Sequence, residues 1–403
     1  MSNNNKTPAI RFKGFTDTWE QRKLGECAEF NPKSELPDIF EYVDLESVVG
    51  TDILSHRTES KSSAPSRAQR LAQKGDVFYQ TVRPYQKNNC IFENDENNWV
   101  FSTGYAQLRP VNDGYFLLTL LQNEDFVKLV LDRCTGTSYP AINSNDLADI
   151  DVNIPINNLE QQRIGDYFRN LDSLITLHQR KYEKLVNIKK SMLDKMFPPN
   201  GVSVPEIRFK GFTDPWEQRK LDEIANFSKG VGYSKNDLCE EGTPIILYGR
   251  LYTKYETSIF DVDTFVKEKA GSVYSKGGEV IVPASGETAE DISIASVVVK
   301  PGILLGGDLN IVSPTTEYDS AFLALTISSG ATHKYLSSLA QGKSVVHLHN
   351  ADIQSVSAKF PTKREQEKIH LLFGKIDTLI TLHQRKLEKL QNIKKSCLEK
   401  MFV

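Results

Sequence analysis

Apolar positions recur at alternating steps of four and three along two long stretches of the chain. The first passes through Ile164, Phe168, Leu171, Ile175, His178, Tyr182, Leu185, Lys189, Met192 and Met196. The second passes through Ile369, Phe373, Ile376, Ile380, His383, Leu387, Leu390, Lys394, Cys397 and Met401. This spacing turns one stripe of a helix toward a partner helix, and about five heptads of it predict a coiled coil. Each helix should run for about forty residues, roughly 60 Å at 1.5 Å per residue. Pro155 and Pro361 precede the helices, and Pro198, Pro199 and Gly201 end the first one. Two such helices in one chain are each other's expected partner. An antiparallel pairing is expected, because the short Pro-Pro-Asn-Gly link could not carry the chain back along a parallel neighbour to the segment that leads into the second helix. His178 and His383 sit on the seam and read as core histidines rather than as ligands or bases.

Ahead of each helix the periodicity shortens to that of strands, and the order of elements is the same twice. A β run is expected at 42–48 and at 244–252, then a glycine turn into a strand at 75–82 and 277–285. A strand ending in proline comes next at 104–110 and 308–314, then a helix near 115–132 and near 318–340. A glycine loop and a strand close each body at 136–155 and 342–361. The two bodies are therefore expected to be α/β homologues with rewritten loops.

The repetition is literal at the edges of the bodies. Residues 10–24 read IRFKGFTDTWEQRKL and residues 207–221 read IRFKGFTDPWEQRKL, differing only at Thr18 and Pro215. Residues 174–197 recur at 379–402 with few changes. A period near two hundred residues is too long for a solenoid and indicates a duplicated domain with a shared frame and different cargo. The expected divisions are 1–157, a head segment with the first body; 158–200, the central helix and linker; 201–362, the second head and body; and 363–403, the C-terminal helix. The expected fold class is α/β plus long α-helices, two homologous α/β domains separated by an antiparallel coiled coil with a pseudo-twofold. Such a chain should bind one kind of partner symmetrically and another asymmetrically. Trp19 and Trp216, with Phe12, Phe15, Phe209 and Phe212, are expected to seal the base of each body against the helices.

Composition adds bounds rather than a class. The chain has 403 residues, 39% apolar and 25% charged, with a formal net charge of -3, which are ordinary globular values. A nucleic-acid binder is more often basic, but charge can be local, and an assembly can share the work of neutralising phosphates. Five cysteines, Cys27, Cys90, Cys134, Cys239 and Cys397, form no CxxC pair, so reduced thiols are expected and neither a disulfide frame nor a zinc site. No leader pattern and no apolar run of membrane length is seen, so a soluble, cytoplasmic protein with no membrane partner is expected.

Candidate chemistry lies in the body loops. Body one offers Gln80, Thr81, Arg83, Tyr85, Lys87, Ser138 and Tyr139, with Thr137 alongside. Body two offers Arg250, Tyr252, Lys254, Ser285, Lys343, Ser344 and His347, with Tyr248, Glu287 and His349 nearby. Arginine, lysine, glutamine and asparagine read base edges, while serine, threonine and tyrosine commonly hold phosphates. Singly each is an ordinary loop residue. Their equivalent places on two homologous scaffolds, with different identities, point to DNA reading. The helices carry Arg180, Lys181, Lys184 and Lys189, matched by Arg385, Lys386, Lys389 and Lys394. One such residue is what any solvated flank carries. That the outward positions repeat along with the seam points to a docking face for another subunit or a DNA backbone.

Catalytic motifs fail on inspection. Gly342-Lys343-Ser344 lacks the first glycine of a phosphate loop, with Ser337 in its place, and HExxH, GxSxG and GxGxxG do not occur. No catalytic or metal-binding residue is expected in this chain.

The heads GFTDxWEQRKL and the helices LITLHQRKxEKLxNIKK, each repeated once around a variable body, closely resemble the specificity subunit of type I restriction-modification enzymes. The resemblance covers essentially the whole chain. It implies that the bodies are target recognition domains, each reading one half of a split double-stranded DNA target, and that the helices space them. It implies a non-catalytic subunit. Two modification subunits would bring S-adenosylmethionine and methylate adenine at N6, and restriction subunits would add ATP- and Mg-dependent translocation and cleavage. A four-residue insertion in a helix, adding about 6 Å, should then lengthen the gap between half-sites by nearly two base pairs. The alternative is a stand-alone coiled-coil DNA-binding or interaction protein such as a repressor.

Overall fold

The computed structural model describes residues 7–136, 138–342 and 344–403. The chain forms two compact units, one running to His178 and completed by Lys386–Val403, the other Gln179–Arg385. The boundary crosses both long helices, Asn158–Met196 and Lys363–Lys400. Each unit thus contains one body, the first half of the helix after it, and the second half of the other helix.

The helix segments run antiparallel within each unit. In the first, Asp172 pairs with Lys394 at 2.5 Å and the Tyr167 hydroxyl lies 3.5 Å from the Cys397 sulfur. In the second, Lys189 pairs with Asp377 at 2.6 Å, and the Phe197 and Phe373 rings are 6.4 Å apart. Every seam position read from the spacing is buried or half-buried, so a stripe of about a third of the helix surface holds the packing. The lysine at one seam position in each copy is accommodated by an aspartate from the facing helix.

The heads belong structurally to the bodies. Glu20–Lys23 pairs antiparallel with Asp151–Ile154, and Glu217–Lys220 pairs with Ser357–Phe360 in the same way. The first strand of each body is thereby stitched to its last. Arg11 then donates to the two oxygens of Glu160 at 2.5 and 2.7 Å, and Arg208 does the same to Glu365 at 2.7 and 2.8 Å. Both glutamates are almost wholly buried, 1% and 0% exposed at the side chain, and only a bidentate guanidinium makes that burial tolerable.

Beneath each head lies an aromatic box. Trp19, Phe116, Phe168 and Phe402 meet with ring centroids about 6 Å apart, and Trp216, Phe322, Phe197 and Phe373 repeat the arrangement. The tryptophans therefore seal the base of each body, as expected from the repeated head segments. Each box takes one ring from the closing end of a helix, Phe402 or Phe197, and burying such a ring stabilises by about 1.5–3 kcal/mol.

Body one carries two four-stranded sheets, the first mixed and the second antiparallel. The first orders Arg57–Ser60, Ile39–Val43, Trp99–Ser102 and Ala68–Leu71; the second orders Ala28–Phe30, Tyr105–Pro110, Val77–Gln80 and Cys90–Ile91. Body two has a five-stranded sheet, Ala225–Lys229, Leu309–Pro314, Glu279–Pro283, Ser296–Val298 and Ser258–Ile259, and a four-stranded one. Val77–Gln80 and Glu279–Pro283 are buried at every position, so they lack the in-out alternation of a half-exposed strand.

Three local expectations are corrected. The helix near 115–132 is two, Gly114–Leu121 and Glu124–Leu131, because the Asn123 side chain accepts from the Asp125 amide at 2.7 Å and starts a new helix. Its counterpart likewise divides into Ser320–Ile327 and Gly330–Leu339. The β run at 244–252 stops at Ile246, and Arg250–Thr253 forms a helical turn.

Candidate nucleic-acid interface

Each body brings the same two loops together. In body one the chain leaving Val77–Gln80 runs beside the glycine loop that precedes the closing strand. The Ile142 amide donates to the Thr81 carbonyl at 3.0 Å, the Arg83 amide donates to the Pro140 carbonyl at 2.8 Å, and Val82 bridges Ala141. In body two, Ser285 and Gly286 pair with His347 and Val346, and the Leu348 amide donates to the Ala284 carbonyl at 3.0 Å. Segments some sixty residues apart in sequence thus form one edge in each body.

Within the first edge the predicted residues divide into frame and display. Gln80 is buried; its amide nitrogen donates to the Val82 carbonyl at 2.6 Å and to Gln86 Oε1 at 2.8 Å. Thr81 is buried and donates to the Gly104 carbonyl at 2.8 Å. Lys87 is bound by the Glu124 carboxylate. These three hold the loop. Tyr85, Ser138 and Tyr139 are exposed, Tyr85 and Tyr139 by 50% and 63%, and the half-buried Arg83 lays its guanidinium over the Tyr139 ring, 4.4 Å from its centroid. Arg83 and Lys87 flank the turn Pro84–Gln86 in left-handed conformation, with φ of 54° and 55°, a backbone state that side-chain-bearing residues adopt at a cost.

The second edge displays different chemistry. His347 and His349 are exposed, with rings parallel within 2° and centroids 6.3 Å apart. Ser344 is exposed beside them, while Ser285 is buried in the strand pair. Tyr252 is half-buried with its ring 6.2 Å from that of Tyr248, and its phenol is pushed up by burial first and then by Tyr248 and the charge of Glu287. Lys343, like Thr137 in body one, lies outside the described residues.

Arg250 and Lys254 are spoken for. Arg250 donates to Glu256 and Asp263 at 2.8 Å each and to the Asp261 carbonyl at 3.3 Å, leaving its side chain 9% exposed. Lys254 reaches Asp263 at 2.9 Å, and these hydrogen bonds, from Lys254 first, hold the Asp263 carboxyl at about 2. The carboxylates of Glu256 and Asp263 pair with these cations, while Asp261 gives only its carbonyl and pairs its carboxylate with Lys300. Arg250 is thereby turned inward and positions the helical turn, whereas the Lys254 side chain stays 54% exposed.

The helix surfaces need a similar sorting. Lys189 and Lys394 are turned inward by Asp377 and Asp172 and are 17% and 21% exposed at the side chain. Arg180, Lys181, Lys184 and Arg385 in the second unit, and Lys386 and Lys389 in the first, are exposed. Sequence reasoning missed the leucines. Leu174 and Leu177 are 42% and 44% exposed in the first unit, and their equivalents Leu379 and Leu382 are 44% and 45% exposed in the second. A matched pair of open leucines in each copy marks an interaction surface more than isolated ones would. The signal was available: these positions repeat the three-and-four spacing one residue before the seam.

Comparison with known proteins fits this geometry. The family model for the type I restriction modification DNA specificity domain matches residues 16–187 and again 213–392. The type I restriction enzyme MjaVIII specificity subunit of Methanocaldococcus jannaschii is 23% identical over 298 residues, 71% of this chain and 68% of that one. The HindI specificity subunit of Haemophilus influenzae is 24% identical over 192 residues, 44% of this chain and 40% of that relative. The crystal structure of a type I restriction-modification S subunit from M. genitalium shares the fold, with a TM-score of 0.63 at 15% identity over 98% of this chain and 99% of that one. Both repeats are matched over most of their length, and the chain belongs to the type I restriction modification DNA specificity family.

Proposed function

We propose that the two edges divide a split DNA target between them, body one reading one half and body two the other, and that the helices set the gap. The observation that carries this reading is the pair of edges: the same two loops on the same scaffold, presenting Arg83, Tyr85, Ser138 and Tyr139 in one body and His347, His349, Ser344 and Tyr252 in the other. A duplicated reader with one chemistry would serve a palindrome; two chemistries serve an asymmetric sequence. Sequence specificity is the family's role, and family membership leaves the stand-alone repressor without support.

Modification subunits would dock on the surfaces that are alike in the two copies. Leu174 and Leu177, and Leu379 and Leu382, would supply apolar anchors, and Arg180, Lys181, Lys184, Arg385, Lys386 and Lys389 would add charge further along the same helices. Two equivalent surfaces suit two copies of one methyltransferase. S-adenosylmethionine, ATP and Mg would be bound by the partner subunits, with restriction subunits completing the complex in the cytoplasm. Methylation of adenine at N6 would require the base to leave the stack, and loops gripping the flanking bases would position that event.

The test is to express the chain with its candidate modification subunit in a host lacking N6-adenine methylation and to sequence the native DNA. A split motif methylated on both strands, absent without this chain, is the expected result. No new methylation from a soluble, associated complex would overturn the reading.

A further inference from the structure

We infer that Arg83 reads a guanine in the half-site taken by body one, with Tyr139 as the residue that positions it. The inference rests on the half-site reading and adds the chemistry of one base.

The cations of the two edges are not equivalent. Arg250, Lys254 and Lys87 each have a carboxylate partner, whereas no carboxylate pairs with Arg83 among the described residues. Its guanidinium instead covers the Tyr139 ring at 4.4 Å. A guanidinium on an aromatic face is held by one side of its plane, which leaves the N–H groups at its rim pointing sideways and unclaimed. Tyr139 is 63% exposed and Arg83 half-buried, so the stacked pair lies at the surface of the edge.

The backbone supports the same purpose. Arg83 sits at φ 54° and ψ 57°, a left-handed state where glycine or asparagine would cost less. Its amide is tied to the Pro140 carbonyl at 2.8 Å, beside Tyr139, and buried Gln80 grips the residues on either side through Val82 and Gln86. A costly conformation fixed from both neighbouring segments marks a place where the direction of one side chain matters. A planar fork of parallel N–H donors in a fixed direction matches the O6 and N7 acceptors that guanine alone presents in the major groove.

A phosphate could also accept from such a fork, and the experiment separates the two. The complex with its modification subunit is prepared as wild type, R83K, R83A, Y139F and Y139A, and the methylated motif of each is sequenced. Wild type is expected to show a guanine in one half-site. R83K and R83A should lose roughly ten- to hundred-fold of the preference at that single position, since a bidentate pair discriminates by that much, with the other half-site unchanged. Y139F, which keeps the ring, should retain the preference, and Y139A should lose part of it. In parallel, wild-type complex is titrated with duplexes carrying 7-deazaguanine or inosine at each guanine of the motif in turn. Loss of N7 at the Arg83 position should weaken binding about ten-fold, and inosine, which keeps O6 and N7, should not. This second measurement needs no variant to fold. R83K that keeps the guanine preference, a uniform loss of binding without relaxation at any base, or indifference to 7-deazaguanine would each overturn the assignment. A wild-type complex with no split motif would instead overturn the half-site reading beneath it.

Discussion

The two units differ least where their chains are stitched and most at the loop edges of the bodies. Arg11 and Glu160 repeat as Arg208 and Glu365; Trp19, Phe116, Phe168 and Phe402 repeat as Trp216, Phe322, Phe373 and Phe197; and Asp113 and Asp319 cap corresponding helices, accepting from the Phe116 and Phe322 amides at 2.7 and 2.8 Å. At the edges the backbone plan and one displayed serine, Ser138 matching Ser344, repeat, and the other displayed side chains differ. The lesson is that the duplicated frame carries the packing, so the side chains at the edge are free to change without touching the core.

Between frame and edge there is a middle ground in which the copies solve one problem twice. Body one is tied to its helix by Arg169, which donates to Glu93 at 2.8 Å and covers the Tyr115 ring at 4.7 Å. In body two the helix has Gly374 at the equivalent place, and the tie passes from Thr257 to Asp377 at 2.9 Å, with Lys189 on the same carboxylate. The Asp caps diverge too. His370 lies 2.8 Å from Asp319, whereas Gly165 stands at the matching position beside Asp113, where a Cβ would meet the Asp113 oxygen at 2.1 Å.

The hardest test of equivalence is the clamp. Arg11→Ala and Arg208→Ala each strand a buried glutamate, and each should destabilise its own unit by about 3–5 kcal/mol, read from the denaturation midpoint with site-specific probes in both units. Replacing both partners of one clamp by well-packed apolar residues should recover most of that loss. A large difference between the two single variants would break the comparison.

Next in size is the aromatic box. Phe402→Ala and Phe197→Ala should cost about 3 kcal/mol each, with the loss confined by hydrogen exchange to the first unit for Phe402 and to the second for Phe197. Loss of protection in the opposite unit would contradict the division of the helices between the units.

Arg250→Ala sharpens the contrast with Arg83. It removes a cation already shared among carboxylates, so body two should lose about 1–2 kcal/mol of stability while the methylated motif stays unchanged. A relaxed base would return Arg250 to the readers.

The smallest effect is in acid. Burial tends to raise the Asp319 carboxyl, but the His370 contact and the Phe322 amide prevail and leave it below the ordinary range. Burial dominates at Asp113 and leaves it above that range. A lowered carboxyl contributes stability that is present above its unfolded value and lost as the pH falls through the folded one; a raised carboxyl relieves its unit in the same fall. Acidification from pH 7 to 3 should therefore cost the second unit more through this pair. Asp319→Asn should remove that pH sensitivity there, whereas Asp113→Asn, which keeps a helix cap, should be neutral or stabilising. Equal acid responses of the two variants would remove this difference between the copies.

Much of the architecture was legible because it rests on periodicity. The seams and the order of body elements are set by spacing and by the repeated segments, which also single out the tryptophans, whereas the pairing of Glu20–Lys23 and Glu217–Lys220 with the closing strands was not read. The candidate site was legible only as loops. Arg250 and Arg83 look alike in sequence; they differ because two carboxylates, Glu256 and Asp263, fold back on one, while the other meets a tyrosine fifty-six residues away. Lys189 and Lys394 were read both as seam and as docking charge, and only the aspartate on the facing helix decides. Long-range pairing of this kind leaves no trace in local pattern.

The sharing of helix halves also sets an order of events. Gln179–Arg385 is continuous, so everything the second unit needs is on hand once residue 385 has been synthesised. The first unit waits for Phe402 to fill its box and for Lys400, whose carbonyl accepts from the Ile10 amide at 2.9 Å. The body made first on the ribosome is thus the one completed last, its apolar floor open until the rest of the chain has emerged.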